Sequence, residues 1–160
     1  MPLRCLVPLL VWLVLVAPPV RAQPAACTDF ATPVEAQRMA EKAATHLERL
    51  GLEQAYGDFM NTGGPFFDRD LYVFVLDLQG RVLLNGRFPE VVGSGGLDML
   101  GGAAPPFARD AIELGRGPGR GWVEYQWYNP CTGEYGYKSS YIIRVGDYLV
   151  GVGAYGSVSA

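Results

Sequence analysis

The chain has 160 residues, a formal net charge of −3 and only 18% charged residues, and this composition is too apolar for an intrinsically disordered protein. It contains no Lys/Arg-rich run, so we expect no nucleic-acid partner and no binding to an anionic membrane surface. With 21 glycines and 12% aromatic residues, a chain of this length favours one sheet-rich domain with many turns.

The N-terminus has the pattern of a secretory signal peptide. Arg4 provides a positive charge, residues 6–17 are mostly apolar, and Val20 and Ala22 are the small residues that precede a cleavage site. We therefore expect residues 1–22 to be removed during export to the periplasm or to the outside of the cell. The apolar run is shorter than the about 20 residues of a transmembrane helix, and no later segment is long and apolar enough. The mature chain is expected to have no membrane span.

Removal of the signal peptide leaves two of the three cysteines, Cys27 and Cys131. In an oxidising compartment, two cysteines most simply form one disulfide. This bond would tie the N-terminal tail, residues 23–31, to a late turn of the chain. Lipidation of Cys27 is the alternative, although residues 24–26 lack the leucine-type residue that is usual before a lipidated cysteine. A redox or metal-binding pair is disfavoured, because the chain has no CxxC motif and only one histidine.

The first predicted element is a long helix. Thr32 is a helix cap, Pro33 fits the first turn, and Glu35 completes a capping box. Apolar residues recur at helical spacing until Gly51, and a shorter helix is expected over residues 52–61. The remaining predictions are strands over 71–77, 81–85, 121–128, 136–145 and 148–154, and a helix over 106–114.

This order of elements contains no βαβ repeat, so it predicts an antiparallel sheet flanked by helices, the α+β class. The strand over residues 71–77 is apolar on both faces and should therefore be central and buried. We expect about five strands in a domain over residues 32–156, followed by a short tail, residues 157–160.

The search for catalytic motifs is negative. His46 is the only histidine and lies in the predicted helix, without a nucleophile or carboxylate at a recognisable spacing. Metal ions need several ligands on converging elements, and the sequence offers no such set. Residues 151–156 match GxGxxG, but that motif binds phosphate only when a helix follows it. We therefore predict that the protein is not an enzyme and uses no metal or cofactor.

Aromatic residues are concentrated in the last third of the chain, between Trp122 and Tyr141. Tyrosine and tryptophan favour strands, so this concentration is consistent with ordinary cross-strand packing. It is also consistent with the wall of a pocket, because aromatic rings with a few phenol, indole and amine donors suit a small anionic ligand. Lys138 is the amine in this segment.

Several segments, in their order along the chain, resemble the single Cache sensor domain. The resemblance covers about residues 32–155 and implies a long N-terminal helix packed on an antiparallel PAS-like sheet, with a ligand held between the sheet and its loops. The segments are LYVFVLD (71–77), GRVLLNG (80–86), Pro89, Val92-Gly93, Leu97-Asp98, GWVEYQW (121–127), Asn129-Pro130, KSSY (138–141) and GVGAY (151–155).

The resemblance implies an extracytoplasmic sensor of small molecules, often short carboxylates. Lys138 and Tyr141 are three residues apart and would face opposite sides of a regular strand, so a shared pocket requires a bulge. Receptors of this family carry transmembrane helices and a signalling output, so any signal here would pass to a membrane-bound partner. By position, the pocket would contain Tyr72, Phe88, Trp122, Tyr125, Trp127, Lys138 and Tyr141.

The sequence thus favours an exported, non-enzymatic domain that binds a small organic acid. The alternative is a structural or partner-binding module whose pocket is filled by its own side chains. A void near Tyr125 and Lys138 would favour ligand binding, and a tightly filled site would favour the structural module.

Overall fold

A kinked helix and a six-stranded antiparallel sheet form the framework of the protein. The computed structural model describes residues 29–95 and 107–156. Its elements are α1 (Pro33–Met60), β1 (Phe67–Asp68), β2 (Leu71–Asp77), β3 (Val82–Asn85), a 3₁₀ turn (Pro89–Val91), α2 (Phe107–Arg116), β4 (Arg120–Asn129), β5 (Glu134–Val145) and β6 (Tyr148–Tyr155).

The start of α1 has the predicted capping box. Thr32 Oγ1 accepts a hydrogen bond from the Glu35 backbone N–H, and the Glu35 carboxylate accepts one from the Thr32 backbone N–H at 2.7 Å. Gly51 has a positive φ of 75° and interrupts the helical backbone, because glycine adopts this conformation without a steric cost. The two predicted helices therefore form one kinked element.

The sheet has the order β1-β2-β6-β5-β4, and β3 also pairs with β2. Each pairing between these strands is antiparallel, which confirms the α+β class with a PAS-like sheet. The sheet contains six strands rather than about five, because the sequence analysis missed β1. This strand has only two residues, too few for an alternating pattern.

The two faces of the sheet carry different helices. Small residues of α1, such as Ala36, Ala40 and Ala43, pack with Val73 and Val152 on one face. Helix α2 packs through Ala108 and Ala111 against Phe74 and Leu149 on the other face. Side chains alternate between faces along a strand, so each strand residue belongs to either the α1 face or the α2 face.

Some of the predicted features lie outside the described residues. These are the signal peptide (1–22), most of the tail that includes Cys27, Leu97-Asp98, and the C-terminal residues 157–160. Cys131 is buried, and its pairing with Cys27 stays a prediction. In the described ranges, no helix is both long and apolar enough to cross a membrane.

Candidate functional site

The α2 face brings five of the seven predicted site residues together. Tyr125 of β4 lies opposite Lys138 of β5, which in turn lies opposite Tyr155 of β6. Residues directly opposite in an antiparallel sheet share a face. Around this row the rings of Tyr72, Phe88, Trp127 and Tyr125 form a chain of contacts, with successive centroid distances of 5.7, 6.2 and 6.0 Å.

Phe88 reaches this cluster through a turn after β3. The side-chain carbonyl of Asn85 accepts hydrogen bonds from the backbone N–H groups of Arg87 and Phe88, at 3.1 and 2.9 Å. An asparagine that bonds the backbone two or three residues ahead stabilises such a turn. The turn directs Phe88 back against the Tyr72 ring, and the two rings meet edge to face.

Trp122 and Tyr141 do not belong to this cluster, which corrects their assignment to the same pocket. Their rings contact each other at 5.1 Å and pack with the α1 face. Trp122 is three residues from Tyr125, and Tyr141 is three residues from Lys138, so a regular strand places them on the opposite side. The β4–β5 pairing has no register shift, and the bulge that a shared pocket would require is therefore missing from these two strands.

Lys138 is the only lysine among the buried residues of the described chain, and 1% of it is exposed. Its Nζ lies 3.8 Å from the centroid of the Tyr72 ring and 5.0 Å from that of Tyr155, and it has no hydrogen-bond partner among the described residues. Burial lowers the pKa of Lys138 to about 7, although the charge of Asp70 opposes this shift and that of Arg87 adds to it. This ammonium contacts aromatic faces, which attract a cation.

Asp70 is a second buried ionisable residue at this site, with 1% of it exposed. Its Oδ1 accepts a hydrogen bond from the Ala31 backbone N–H at 2.8 Å, whereas its Oδ2 has no partner in the described part of the chain. The charge of Asp70 acts on both Lys138 and Tyr155. Asp70 and Tyr155 are site residues that the sequence did not predict.

The phenols around the site remain neutral. Burial raises the pKa of Tyr72, Tyr125 and Tyr155 above the usual value for tyrosine. Tyr125 shares a hydrogen bond of 2.8 Å with the Ser140 hydroxyl, and the Tyr155 hydroxyl donates to the backbone carbonyl of Tyr128. The indole N–H of Trp127 lies near the Tyr72 hydroxyl but without hydrogen-bonding geometry. The site thus combines an apolar wall with several neutral donors.

The space between these rings is small. A cavity of about 10 Å³ remains beside Tyr72, Phe107, Tyr125 and Trp127, which is close to the minimum for one water molecule. Phe107, the first residue of α2, fills much of the region, and its ring centroid lies 4.1 Å from that of Tyr125. The site is therefore tightly packed in this structure.

A larger cleft of about 750 Å³ lies between α1 and the turn from β5 to β6. Charged side chains of both signs line it, including Glu41, Glu48, Arg120 and Arg144. The buried polar atoms without a partner among the described residues are Asp70 Oδ2, Trp127 Nε1 and Lys138 Nζ, and none of these residues lines the cleft. The described residues also contain no group of side chains that could hold a metal ion. The α2 face is therefore the better candidate.

The missing side chain of Gly153 leaves the space that the Lys138 side chain occupies. A Cβ at this residue would lie 2.1 Å from Ser140 Oγ and 2.7 Å from Lys138 Cε. We expect Gly153→Ala to lower the free energy of unfolding by about 1–3 kcal/mol, because both side chains would have to move in a packed core.

The control is Gly57→Ala on α1, where an added Cβ meets nothing within 4 Å. Alanine stabilises an exposed helix position by about 0.5–1 kcal/mol relative to glycine. Urea unfolding of the two variants measures both effects. Equal unfolding midpoints for Gly153→Ala and the unchanged protein would contradict the close approach at Gly153.

Comparison with protein families gives one match. The family described as "Single Cache domain 2" matches residues 30–157, which include each element of the sheet and both helices. No curated protein sequence matches the chain.

Solved structures share this fold at low sequence identity. A methyl-accepting chemotaxis protein from Vibrio parahaemolyticus is 20% identical, with a TM-score of 0.62 over 76% of this chain and 86% of that chain. A Cache chemosensory domain, solved to explain carboxylic acid recognition, is 20% identical, with a TM-score of 0.61 over 78% of this chain and 92% of that chain. The periplasmic sensor domain of a chemotaxis protein is 19% identical, with a TM-score of 0.59 over 78% of this chain and 90% of that chain.

Proposed function

Because this chain belongs to the single Cache domain 2 family, we propose that it is an exported, non-enzymatic domain that binds a short carboxylate on the α2 face of its sheet. The domain spans residues 32–156, and the signal peptide of residues 1–22 directs it to the periplasm or outside the cell. Tyr72, Phe88, Tyr125, Trp127 and Lys138 are the ligand-binding residues.

The observation that carries this proposal is the buried ammonium of Lys138, which has no hydrogen-bond partner in residues 29–95 and 107–156. An unpaired charge in a protein interior is costly, because it loses its hydration and gains no compensating bond. A carboxylate placed at Nζ would supply a charge-assisted hydrogen bond, which is about twice as strong as a neutral one. The ligand would thus complete an interaction that the ligand-free fold leaves open.

The aromatic wall suits the carbon side of a small acid. Its rings pack edge to face and would exclude water from the chain of the ligand, whereas Lys138 would orient its carboxylate. A ligand of two to four carbons requires the smallest rearrangement of Phe107 and Tyr125. One of the solved domains with this fold is described as recognising carboxylic acids, which supports the same ligand class.

The small volume of the cavity favours a second candidate function. A site with only about 10 Å³ of free space fits a structural or partner-binding module whose pocket is filled by its own side chains. The two functions differ in one measurable respect. Only the binding domain gains stability from a small acid, because a ligand that binds the native state alone raises its melting temperature.

The first experiment is a thermal-shift screen of the mature protein with acids of two to four carbons. We expect at least one acid to raise the melting temperature by several degrees at about a hundred times its Kd, where linkage gives about 2.7 kcal/mol. The matched controls are the amides of the same acids, which keep the shape and lack the charge. Equal shifts with acids and amides, or no shift with either, would exclude the carboxylate site and leave the structural module.

The proposal also includes a partner. Two solved structures with this fold are those of a methyl-accepting chemotaxis protein and of the periplasmic sensor domain of a chemotaxis protein, which supports a role in signalling. We infer that this domain passes ligand occupancy to a membrane-bound signalling partner.

A further inference from the structure

We propose that the ligand of this site carries a hydrogen-bond donor, an ammonium or hydroxyl group, next to its carboxylate, and that Asp70 Oδ2 accepts from this donor. The inference rests on the proposed function and narrows its ligand class from short acids to short 2-amino or 2-hydroxy acids. Asp70 would be the residue that distinguishes these acids from simple acids, which lack the donor.

The first argument is the placement of two opposite, unsatisfied groups. Asp70 Oδ2 and Lys138 Nζ are both buried and both lack a hydrogen-bond partner within residues 29–95 and 107–156. Their charges interact, yet the two groups do not form an ion pair in the described fold. Asp70 stands two positions before Tyr72 in the chain, and Lys138 Nζ lies 3.8 Å from the centroid of the Tyr72 ring and 5.0 Å from that of Tyr155. The unpaired acceptor and the unpaired donor thus belong to the same part of the sheet.

The second argument is that the structural role of Asp70 uses only half of its carboxylate. Oδ1 accepts from the Ala31 backbone N–H at 2.8 Å and so anchors the chain before α1. An asparagine could accept the same bond through its own carbonyl oxygen. The second oxygen contributes nothing to this anchor, and a buried polar atom without a hydrogen bond destabilises the fold. Oδ2 is therefore available to a ligand.

The third argument is the chemical balance of the site. A simple acid such as propionate offers acceptors only, so it could bond with Lys138 but would leave Asp70 Oδ2 unpaired. An acid with a donor on the adjacent carbon satisfies both groups at once. Charge balance favours an ammonium, because Asp70, Lys138 and a zwitterion together carry no net charge, whereas a hydroxy acid adds one negative charge to a buried site.

The test compares four three-carbon acids by calorimetric titration of the mature protein: alanine, lactate, pyruvate and propionate. A hydrogen bond to a charged group corresponds to about a tenfold to a hundredfold change in affinity. We expect alanine or lactate to bind more tightly than pyruvate and propionate by this factor. Tighter binding of alanine assigns the donor as an ammonium, and tighter binding of lactate assigns it as a hydroxyl group.

Asp70→Asn tests the residue itself. This variant keeps the acceptor for Ala31 and replaces Oδ2 with an N–H donor, so the ratio of the affinity for the donor-bearing acid to that for propionate should fall to less than about threefold. Asp58→Asn is the matched control, because Asp58 is exposed and contacts His46 on α1. The Asp58→Asn variant should show the same preference among the acids as the unchanged protein.

The outcomes separate this inference from the proposed function. Propionate binding as tightly as alanine and lactate to the unchanged protein would overturn the role of Asp70 and leave the carboxylate site intact. An undiminished preference in Asp70→Asn would also overturn it. No binding of any of the four acids would overturn both. Because the comparison of acids uses the unchanged protein, it decides the question even where Asp70→Asn does not fold.

Discussion

Replacing Lys138 with methionine should weaken the binding of the best short acid about ten- to a hundredfold and raise the melting temperature of the ligand-free protein by about 5 °C. The loss of affinity follows from the lost charge-assisted bond to the carboxylate. The gain in stability follows from the low pKa of Lys138, about 7, which shows that the folded protein disfavours this charge even with Asp70 nearby. Methionine keeps the length of the side chain and packs well against aromatic rings.

The chain contains one other lysine, Lys42, which provides the control. Lys42 is exposed on α1, with its Nζ 5.4 Å from the centroid of the Phe66 ring. Lys42→Met should leave both affinity and melting temperature nearly unchanged. Calorimetry and thermal unfolding of the two variants measure both quantities. An unchanged affinity in Lys138→Met would remove this lysine from the binding site, and a large fall in its melting temperature would make the lysine a structural element.

Raising the pH from 7 to 9 should stabilise the ligand-free protein and weaken acid binding. In the unfolded chain Lys138 holds its proton up to about pH 10.5, whereas in the folded protein it releases the proton near pH 7. The unfolded state therefore binds more protons across this interval, and the free energy of unfolding rises with pH until about pH 10. Below pH 7 the folded protein bears the full cost of the buried charge.

Ligand affinity changes in the opposite direction. The carboxylate binds the protonated ammonium, so above pH 7 binding takes up a proton and affinity falls by up to about tenfold per pH unit. The other ionisable groups that act on Lys138 are Asp70 and Arg87, and the surrounding phenols stay neutral because burial raises their pKa values.

Urea unfolding and calorimetry at pH 6, 7, 8 and 9 measure the two trends, and Lys138→Met should remove both. Affinity that is independent of pH in the unchanged protein would contradict the role of this ammonium.

Much of the fold could be predicted because its signals are local. The capping box at Thr32 and Glu35, the helix break at Gly51 and the apolar run of β2 each depend on neighbouring residues alone. Strand β1 could not be predicted, because its two residues are defined by their pairing with β2. The turn at Asn85 is local, but its two backbone hydrogen bonds depend on a side-chain orientation that residue type alone does not give.

Only part of the site could be predicted, because the sequence gives the type of each residue but not the face of the sheet to which its side chain points. Strand alternation separates Trp122 and Tyr141 from Tyr125 and Lys138, and the odd spacing of these pairs was the signal that could have excluded them. Tyr155 lies opposite Lys138, and this position could not be predicted because it depends on the register between β5 and β6. Asp70 offered one signal, an acidic residue directly before a buried strand, but its unpaired oxygen is visible only in three dimensions.

The contact between α1 and the sheet has a consequence for how the domain can respond to its ligand. The buried surface of α1 consists mainly of alanines, namely Ala36, Ala40, Ala43, Ala44 and Ala55. An alanine side chain has no rotamer to change, and close-packed interiors transmit strain because they are hard to compress. We therefore expect a shift of β5 or β6 to displace the part of α1 that precedes Gly51, where four of the five alanines lie. A stripe of longer side chains would damp the same movement within the core.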